Sequence, residues 1–193
     1  KPIQENTLLE TIWLKPTQTL KFILERCPNK YLTGLFILGG ISRAIDRASS
    51  RNMGNNLETW AVLTISILIG SIFGWIGFYI YAWAMSETGK WLNGKAGSDK
   101  FRTVLGWSTV PIVVSLFLLI PQLIIIGDDL FRSEVANNNL FVGISYLVFG
   151  AIELTLSIWS LVILVKGIAI IQKFSIGNAI LNMLLPSITH ILP

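Results

Sequence analysis

The sequence predicts an all-α polytopic membrane protein, five transmembrane helices behind an N-terminal amphipathic helical segment. Three observations carry that reading. Only 13% of the 193 residues are charged, against about a quarter in an ordinary soluble domain. Mean hydropathy is +0.64, and several runs reach the roughly 18 to 20 apolar residues that a helix needs to cross hydrocarbon. These runs lack the period-two alternation of barrel strands.

Residues 1–30 form a polar, cytoplasmic segment distinct from the membrane domain of residues 31–193. Leu8, Leu9, Ile12 and Trp13, then Leu20, Ile23 and Leu24, recur at helical spacing. They predict one or two short amphipathic helices on the membrane surface, with Pro16 separating them or opening the second. Trp13, Lys15, Lys21 and Arg26 are the residues expected to anchor that surface among headgroups. No apolar core of signal-peptide type occurs here, so no cleaved secretion signal is expected. The start at Lys1 rather than Met is expected to reflect trimming.

The spans are predicted at about 31–48, 57–85, 104–126, 140–165 and 176–192. Asn55 with Glu58 three residues on has the form of a capping box opening the second. That span is longer than hydrocarbon is thick and is expected to tilt or protrude. Pro111 and Pro121 predict a kinked third span, and Pro186 lies inside the fifth. Lys and Arg crowd the N-terminal segment, the 86–103 loop and the 166–175 loop, while the loop after the third span holds only Arg132. The bias predicts a cytoplasmic N-terminus and an outer C-terminus. The acidic outer stretch "GDDLFRSEVANNN" is expected to be solvated.

Arg43, Arg47 and Arg51 break that bias, because this topology sends them outward. Spaced by four, they share a helix face beside a small-residue stripe of Gly40, Ala44 and Ala48. An arginine at mid-bilayer depth costs about 2.5–3.5 kcal/mol on insertion scales, so an acidic partner is expected. Asp46 can pair with Arg43 across one turn. Glu153 is the acid deep within another span, on a polar stripe with Tyr146, Gly150, Ser157 and Ser160. The expectation is a buried polar network of Arg43, Asp46, Arg47 and Glu153, in which Glu153 meets Arg43 or Arg47. Arginines snorkelling to the interface are the alternative. On the second helix Ser66, Gly70 and Gly74, with Gly77 following, form a close-packing stripe expected to serve a neighbouring helix of the same bundle first.

Several familiar patterns fail. "GKWLNGKA" nearly spells a phosphate-binding loop, but Ala96 stands where the magnesium-binding hydroxyl belongs and a membrane helix precedes it. "IIGDD" lacks the first glycine of intramembrane aspartyl proteases and a second catalytic aspartate. Ser108 has no base except the distant His190. No catalytic residues and no cofactor are expected. Cys27, the single cysteine, excludes an intrachain disulfide or a cysteine-based metal cage and reads as inert. The single histidine, His190, is expected to be packed or interfacial rather than a ligand. The basic residues mark a membrane side, not a nucleic-acid surface, despite the pI near 9.3.

The strings "IWLKPTQTLKFILERCPNKYL", "LGGISRAIDRASSRNMG", "TGKWLNGKAGSDKFRTVLGWSTVP" and "WSLVILVKGIAIIQKFSIGNAILNMLLP" together resemble the bacterial branch of the Yip1 family, over nearly the whole chain. The resemblance implies five membrane helices and a cytosolic N-terminus. Eukaryotic relatives work with Rab GTPases in vesicle traffic, and their GYSLxP-like segment is matched by Gly106, Trp107, Ser108 and Pro111. Their D-L-x-G-P motif is missing here, which counts against a Rab partner. Some bacterial members are associated with ABC exporters or envelope-stress protection.

Two functions are therefore expected to compete. One is a non-enzymatic accessory or adaptor protein of the bacterial plasma membrane, bound to the bilayer and to another integral membrane complex, an ABC exporter in envelope stress or toxin protection being the leading case. The other is a small transporter, channel or lipid-moving protein that uses a buried Arg/Glu network. A wet cavity reaching Glu153 would favour the second, and a packed interior with an exposed apolar groove the first.

Overall fold

The computed structural model of the chain describes residues 3–134 and 139–189, and among these it is helical, with no strand. His190 and residues 135–138 of the acidic stretch lie outside the described residues. In order the helices are α1 (Leu8–Leu14), α2 (Pro16–Arg26), α3 (Leu32–Ser50), α4 (Thr59–Trp91), α5 (Ser98–Ser108), α6 (Val110–Ser115), α7 (Leu119–Ile125), α8 (Leu140–Gln172) and α9 (Ile176–Thr189). Short 3₁₀ turns occupy Met53–Asn55 and Gly127–Phe131.

Among the described residues three stretches are long and apolar enough to cross a membrane: Thr59–Trp91, Ser98–Ile125 and Leu140–Gln172. Predicted span 31–48 is helical as α3, and the fifth is helical over its described part, 176–189, but neither is among these three. Helix α3 has 19 residues but carries Arg43, Asp46 and Arg47, and the described apolar part of α9 is Ile176–Pro186. The two long spans also outrun their predicted ends. At about 1.5 Å per residue, the 33 residues of α4 and the 33 of α8 each extend roughly 50 Å, so Lys90 and Lys166 are helical rather than in loops.

Both long helices stop by backbone geometry rather than by composition. Asn93 takes the left-handed conformation at φ 63°, and Gly94 N–H donates to Gly89 C=O at 2.9 Å while Asn93 N–H donates to Lys90 C=O at 3.0 Å. This is a Schellman motif, which satisfies two carbonyls the helix end leaves open. Lys173 at φ 56° and the Phe174 to Ala169 bond do the same for α8.

The proposed capping box is not formed. Asn55 belongs to the 3₁₀ turn, and its amide exchanges hydrogen bonds with Ser133. Glu58 stands at the helix entrance instead, its carbonyl accepting from Ala61 and Val62, and its carboxylate accepts from Trp60 Nε1. The proline-bearing third span is kinked as predicted. Pro111 has no N–H for the Trp107 carbonyl, so α5 ends at Ser108 and a new helix begins at Val110. The Ser160 hydroxyl donates to the Ser108 carbonyl at 2.6 Å, re-satisfying backbone freed near the break.

The chain divides into two compact units, residues 1–35, 76–110 and 160–193 in the first, and 36–75 and 111–159 in the second. In the first, Pro16 opens α2, and α1 and α2 pack as a hairpin with α2 against α5. Leu8, Ile12, Leu20 and Ile23 are fully buried there. Much of the apolar face expected to lie on lipid therefore packs against protein, while Leu9 and Leu14 of α1 stay exposed. Trp13 is half-buried, while Lys15, Lys21 and Arg26 are exposed. Trp107 and Phe101 of α5 are fully buried, with Tyr31 edge-on to Trp107 at 6.1 Å.

Near the C-terminal ends of α4 and α8 and in the middle of α9 this unit buries neutral amides. The Asn182 amide donates to Met85 C=O at 2.9 Å and to the Thr88 hydroxyl at 3.2 Å, and Ala96 N–H donates to Gln172 Oε1 at 2.9 Å. Only Gln172 Nε2 and Asn182 Oδ1 of these two amides lack a partner. A Cβ on Gly94 would strike the Gln172 carboxamide at 2.5 Å, and one on Gly89 would meet Asn182 Oδ1 at 3.1 Å. The glycines that imitate a phosphate loop thus leave room for side-chain amides.

In the second unit α3 and α4 touch backbone to backbone. A Cβ on Gly40 would lie 2.7 Å from the Gly74 Cα, and one on Gly70 would lie 2.6 Å from the Ile41 Cα. The small stripe does pack within the chain. Gly77 is not part of it, since nothing comes within 4 Å of its Cβ position. Further along the same antiparallel register Ala48 packs with Val62, Ile45 and Phe131. That register sets Ala44, half-buried, opposite Ser66, which is buried.

The first part of the acidic stretch is not a free solvated loop. Phe131 is fully buried and Asp129 is 7% exposed. The Thr59 hydroxyl donates to Asp128 Oδ1 at 2.5 Å, Arg132 Nε donates to Gly54 C=O at 3.4 Å, and the Ser49 hydroxyl donates to Leu130 C=O at 2.7 Å. An apolar pair, Leu130 and Phe131, inside the acidic run pulls it onto the core.

Candidate functional site

Within the second unit a polar cleft opens among α3, α6, α7 and α8. One cavity of about 230 Å³ is lined by Ile45, Asp46, Ser49, Ser50, Gln122 and Glu153 among others. A second, of about 300 Å³, is lined by Arg43, Asp46, Ile112, Ser115, Glu153, Leu156 and Ser157. Asp46 and Glu153 belong to both, so the two carboxyl groups stand where the chambers meet.

Helical spacing explains how each side chain arrives. Arg43 and Asp46 are three apart on α3, and Glu153 and Ser157 are four apart on α8, so each pair shares a face. The kink at Pro111 and the irregular turn at 116–118 keep α6 and α7 short, and Ile112 and Ser115 of the first and Leu119 and Gln122 of the second reach the cleft. The Ser42 hydroxyl donates to the Ile112 carbonyl at 3.4 Å, joining α3 to α6 beside it.

The predicted network is therefore gathered in part. Arg43, Asp46 and Glu153 do line one space. Glu153 is half-buried, whereas Arg43 and Asp46 are exposed, so these three charges stand along a cleft and are not sealed in the interior; Arg47 is exposed and is not in the lining of either cavity. The partner that the structure gives Glu153 is Gln122, whose Nε2 donates to Glu153 Oε1 at 2.7 Å. Gln122 is 6% exposed. Sequence reasoning looked for a cation and missed it, although it is the only amide in the run 104–126 and directly follows Pro121. The predicted stripe on α8 divides. Ser157 joins Glu153, Ser160 bonds to Ser108, Gly150 meets nothing within 4 Å, and the Tyr146 hydroxyl is buried without a partner.

Glu153 lies near the middle of α8, about 20 Å from its start at roughly 1.5 Å per residue. Ionisable groups at such depth are expensive and face a bundle interior or a water-filled space. The cleft supplies that space, and the serine hydroxyls can both donate and accept within it.

The segment Gly106, Trp107, Ser108 and Pro111 is buried throughout. Its polar atoms close on local backbone, with the Ser108 hydroxyl donating to Leu105 C=O at 2.7 Å and the Thr109 hydroxyl donating to Gly106 C=O at 2.7 Å. This segment forms the break between α5 and α6, which brings α6 to the cleft.

The comparison that decides the family covers almost all of these elements. The Yip1 domain matches residues 11–193. This chain belongs to the Yip1 family. The match takes in the kinked segment 106–111, both cavities and α9. No curated protein and no solved structure gives a match. The Yip1 assignment and the three apolar stretches together make this a membrane protein in contact with the bilayer.

Proposed function

We propose that this Yip1-family chain is a non-enzymatic membrane protein that handles a small polar group at mid-bilayer depth, as a small transporter or lipid-moving protein working through the cleft. The observation that carries this reading is that Asp46 and Glu153 are shared by two adjoining cavities, with Arg43 on the wall of one. Arg43 stands beside Asp46 on α3 and lines the same cavity as Glu153 of α8, a charge of opposite sign to both acids. Helices α3 and α9 complete a five-span topology, α3 by packing its charged face toward the cleft. The N-terminal segment and the 86–103 and 166–175 stretches hold every lysine, a bias that supports a cytoplasmic N-terminus and, with five spans, an outer C-terminus in a bacterial plasma membrane.

Thiol labelling tests the cleft directly. In a Cys27→Ser background, cysteines placed at Ser157 and Ser49 should react with a membrane-impermeant maleimide, while one at Leu154, on the apolar flank, should not. Equal silence at all three positions would sink the reading.

The accessory reading has one observation in its favour, the exposed charged face of the α1–α2 hairpin, with Lys21, Glu25 and Arg26. It would hold another integral membrane complex such as an ABC exporter. Deleting the hairpin would strip the core of Leu8, Ile12, Leu20 and Ile23, so the fair test is Lys21→Glu with Arg26→Glu. A stoichiometric partner lost from that variant in lipid nanodiscs supports an adaptor.

A further inference from the structure

Resting on the reading that the cleft handles a polar group, its lining narrows what that group is. The wall of the 300 Å³ cavity carries both signs of charge, Arg43 against Asp46 and Glu153, with hydroxyls at Ser115 and Ser157. Two carboxyl groups to one guanidinium repel a bare anion, and a bare cation complements only the carboxyl groups. A group that carries both charges meets a complement for each.

The surroundings favour an amphiphile over a free solute. Ile112 and Leu156 sit in the lining itself, and Ile152, Leu154 and Ile158, on α8 around Glu153, are exposed apolar side chains. The volume is at the lower end of the roughly 300–1,000 Å³ of ligand pockets. That admits a headgroup and leaves acyl chains outside, along α8.

We propose that the cleft takes the zwitterionic headgroup of a phospholipid, its ammonium against Asp46 and Glu153 and its phosphate against Arg43. Charge-assisted hydrogen bonds on both ends fix its orientation. At the depth of Glu153 the headgroup is in transit between leaflets, so the activity is transbilayer movement of that lipid.

The test is a leaflet-exchange assay with the full chain in phosphatidylcholine liposomes. A trace of phosphatidylethanolamine or phosphatidylglycerol, fluorescently labelled on an acyl chain, is bleached from outside by dithionite. The ethanolamine lipid should move about tenfold faster than the glycerol lipid. Asp46→Asn with Glu153→Gln should abolish that preference, Arg43→Gln should slow both lipids, and Arg43→Lys should restore most of the rate. Variants are compared at matched elution profile and melting midpoint, and if the double variant fails to fold, Glu153→Gln alone replaces it. Equal rates for the two lipids, or a preference that survives the carboxylate changes, overturns the headgroup assignment. Absence of movement with a labelled cysteine at Ser157 overturns the assignment and leaves the wet cleft standing. Absence of both movement and labelling removes the cleft reading too.

Discussion

In the first unit buried amides are tied to backbone, Asn182 to Met85 and Gln172 to Ala96, whereas in the second the carboxyl groups of Asp46 and Glu153 line open space. The charge inventory divides the same way. The first unit holds every lysine and is net basic; the second has no lysine, draws its positive charge from Arg43, Arg47, Arg51 and Arg132, and is net acidic. A buried amide in a close-packed site fixes one geometry, because leaving its partners unpaired is costly. A carboxylate beside a cavity can keep water or exchange it for a ligand. The first arrangement builds a rigid frame, and the second leaves room for something to bind.

The largest expected effect tests the α3–α4 seam of the second unit, which lets α3 reach the cleft. Gly74→Val must separate α3 from α4 or strain both, at the upper end of the about 1–3 kcal/mol typical of overpacking. Gly77→Val, on the same helix but facing open space, should leave the melting midpoint nearly unchanged. A similar loss in both variants would mean that the Gly40 contact is not what limits stability.

Next, Asn182→Leu should cost about 1–3 kcal/mol, since the Met85 carbonyl and Thr88 hydroxyl lose their buried donor. Glu153→Gln should cost less than about 1 kcal/mol, because the amide oxygen can still accept from Gln122 and the rest of the group faces open space. Thermal unfolding in detergent would rank the two. The reverse ranking would erase the contrast between a sealed unit and a wet one.

The smallest effect concerns the hairpin. Lys30 Nζ donates to Glu5 Oε2 at 2.9 Å, and that bond, with the carboxylate's charge, holds the ammonium above its ordinary pKa of 10.5. A pKa raised on folding stabilises while the group is protonated, so the contribution is intact through neutral pH and disappears as pH climbs past the raised value. A melting curve followed above pH 10.5 should show a slight alkaline loss that Lys30→Met abolishes. Nearby, burial and the Glu5 charge push the Cys27 thiol up, against a weaker pull from Lys30. At pH 8 it should alkylate more slowly than a free peptide thiol, which also keeps it quiet in labelling experiments.

Much of this was legible before any coordinates. Composition and run length determined an α-helical membrane protein, prolines at 111 and 121 located its kinks, Pro16 opened a helix, and the glycines at 40, 70 and 74 announced a close seam. Those signals are local or periodic, so a linear string carries them. Tertiary structure alone decided the rest. Whether the apolar face of α1 and α2 meets lipid or protein depends on α5 being nearby, and whether Asn55 caps a helix depends on Ser133 competing for its amide. Glu153 could be picked out as the deep acid, but its amide partner could not, because hydrogen bonding at 2.7 Å brings together residues 31 positions apart. Composition can count charges; only the crossing of α3, α6, α7 and α8 sets which of them share a cavity.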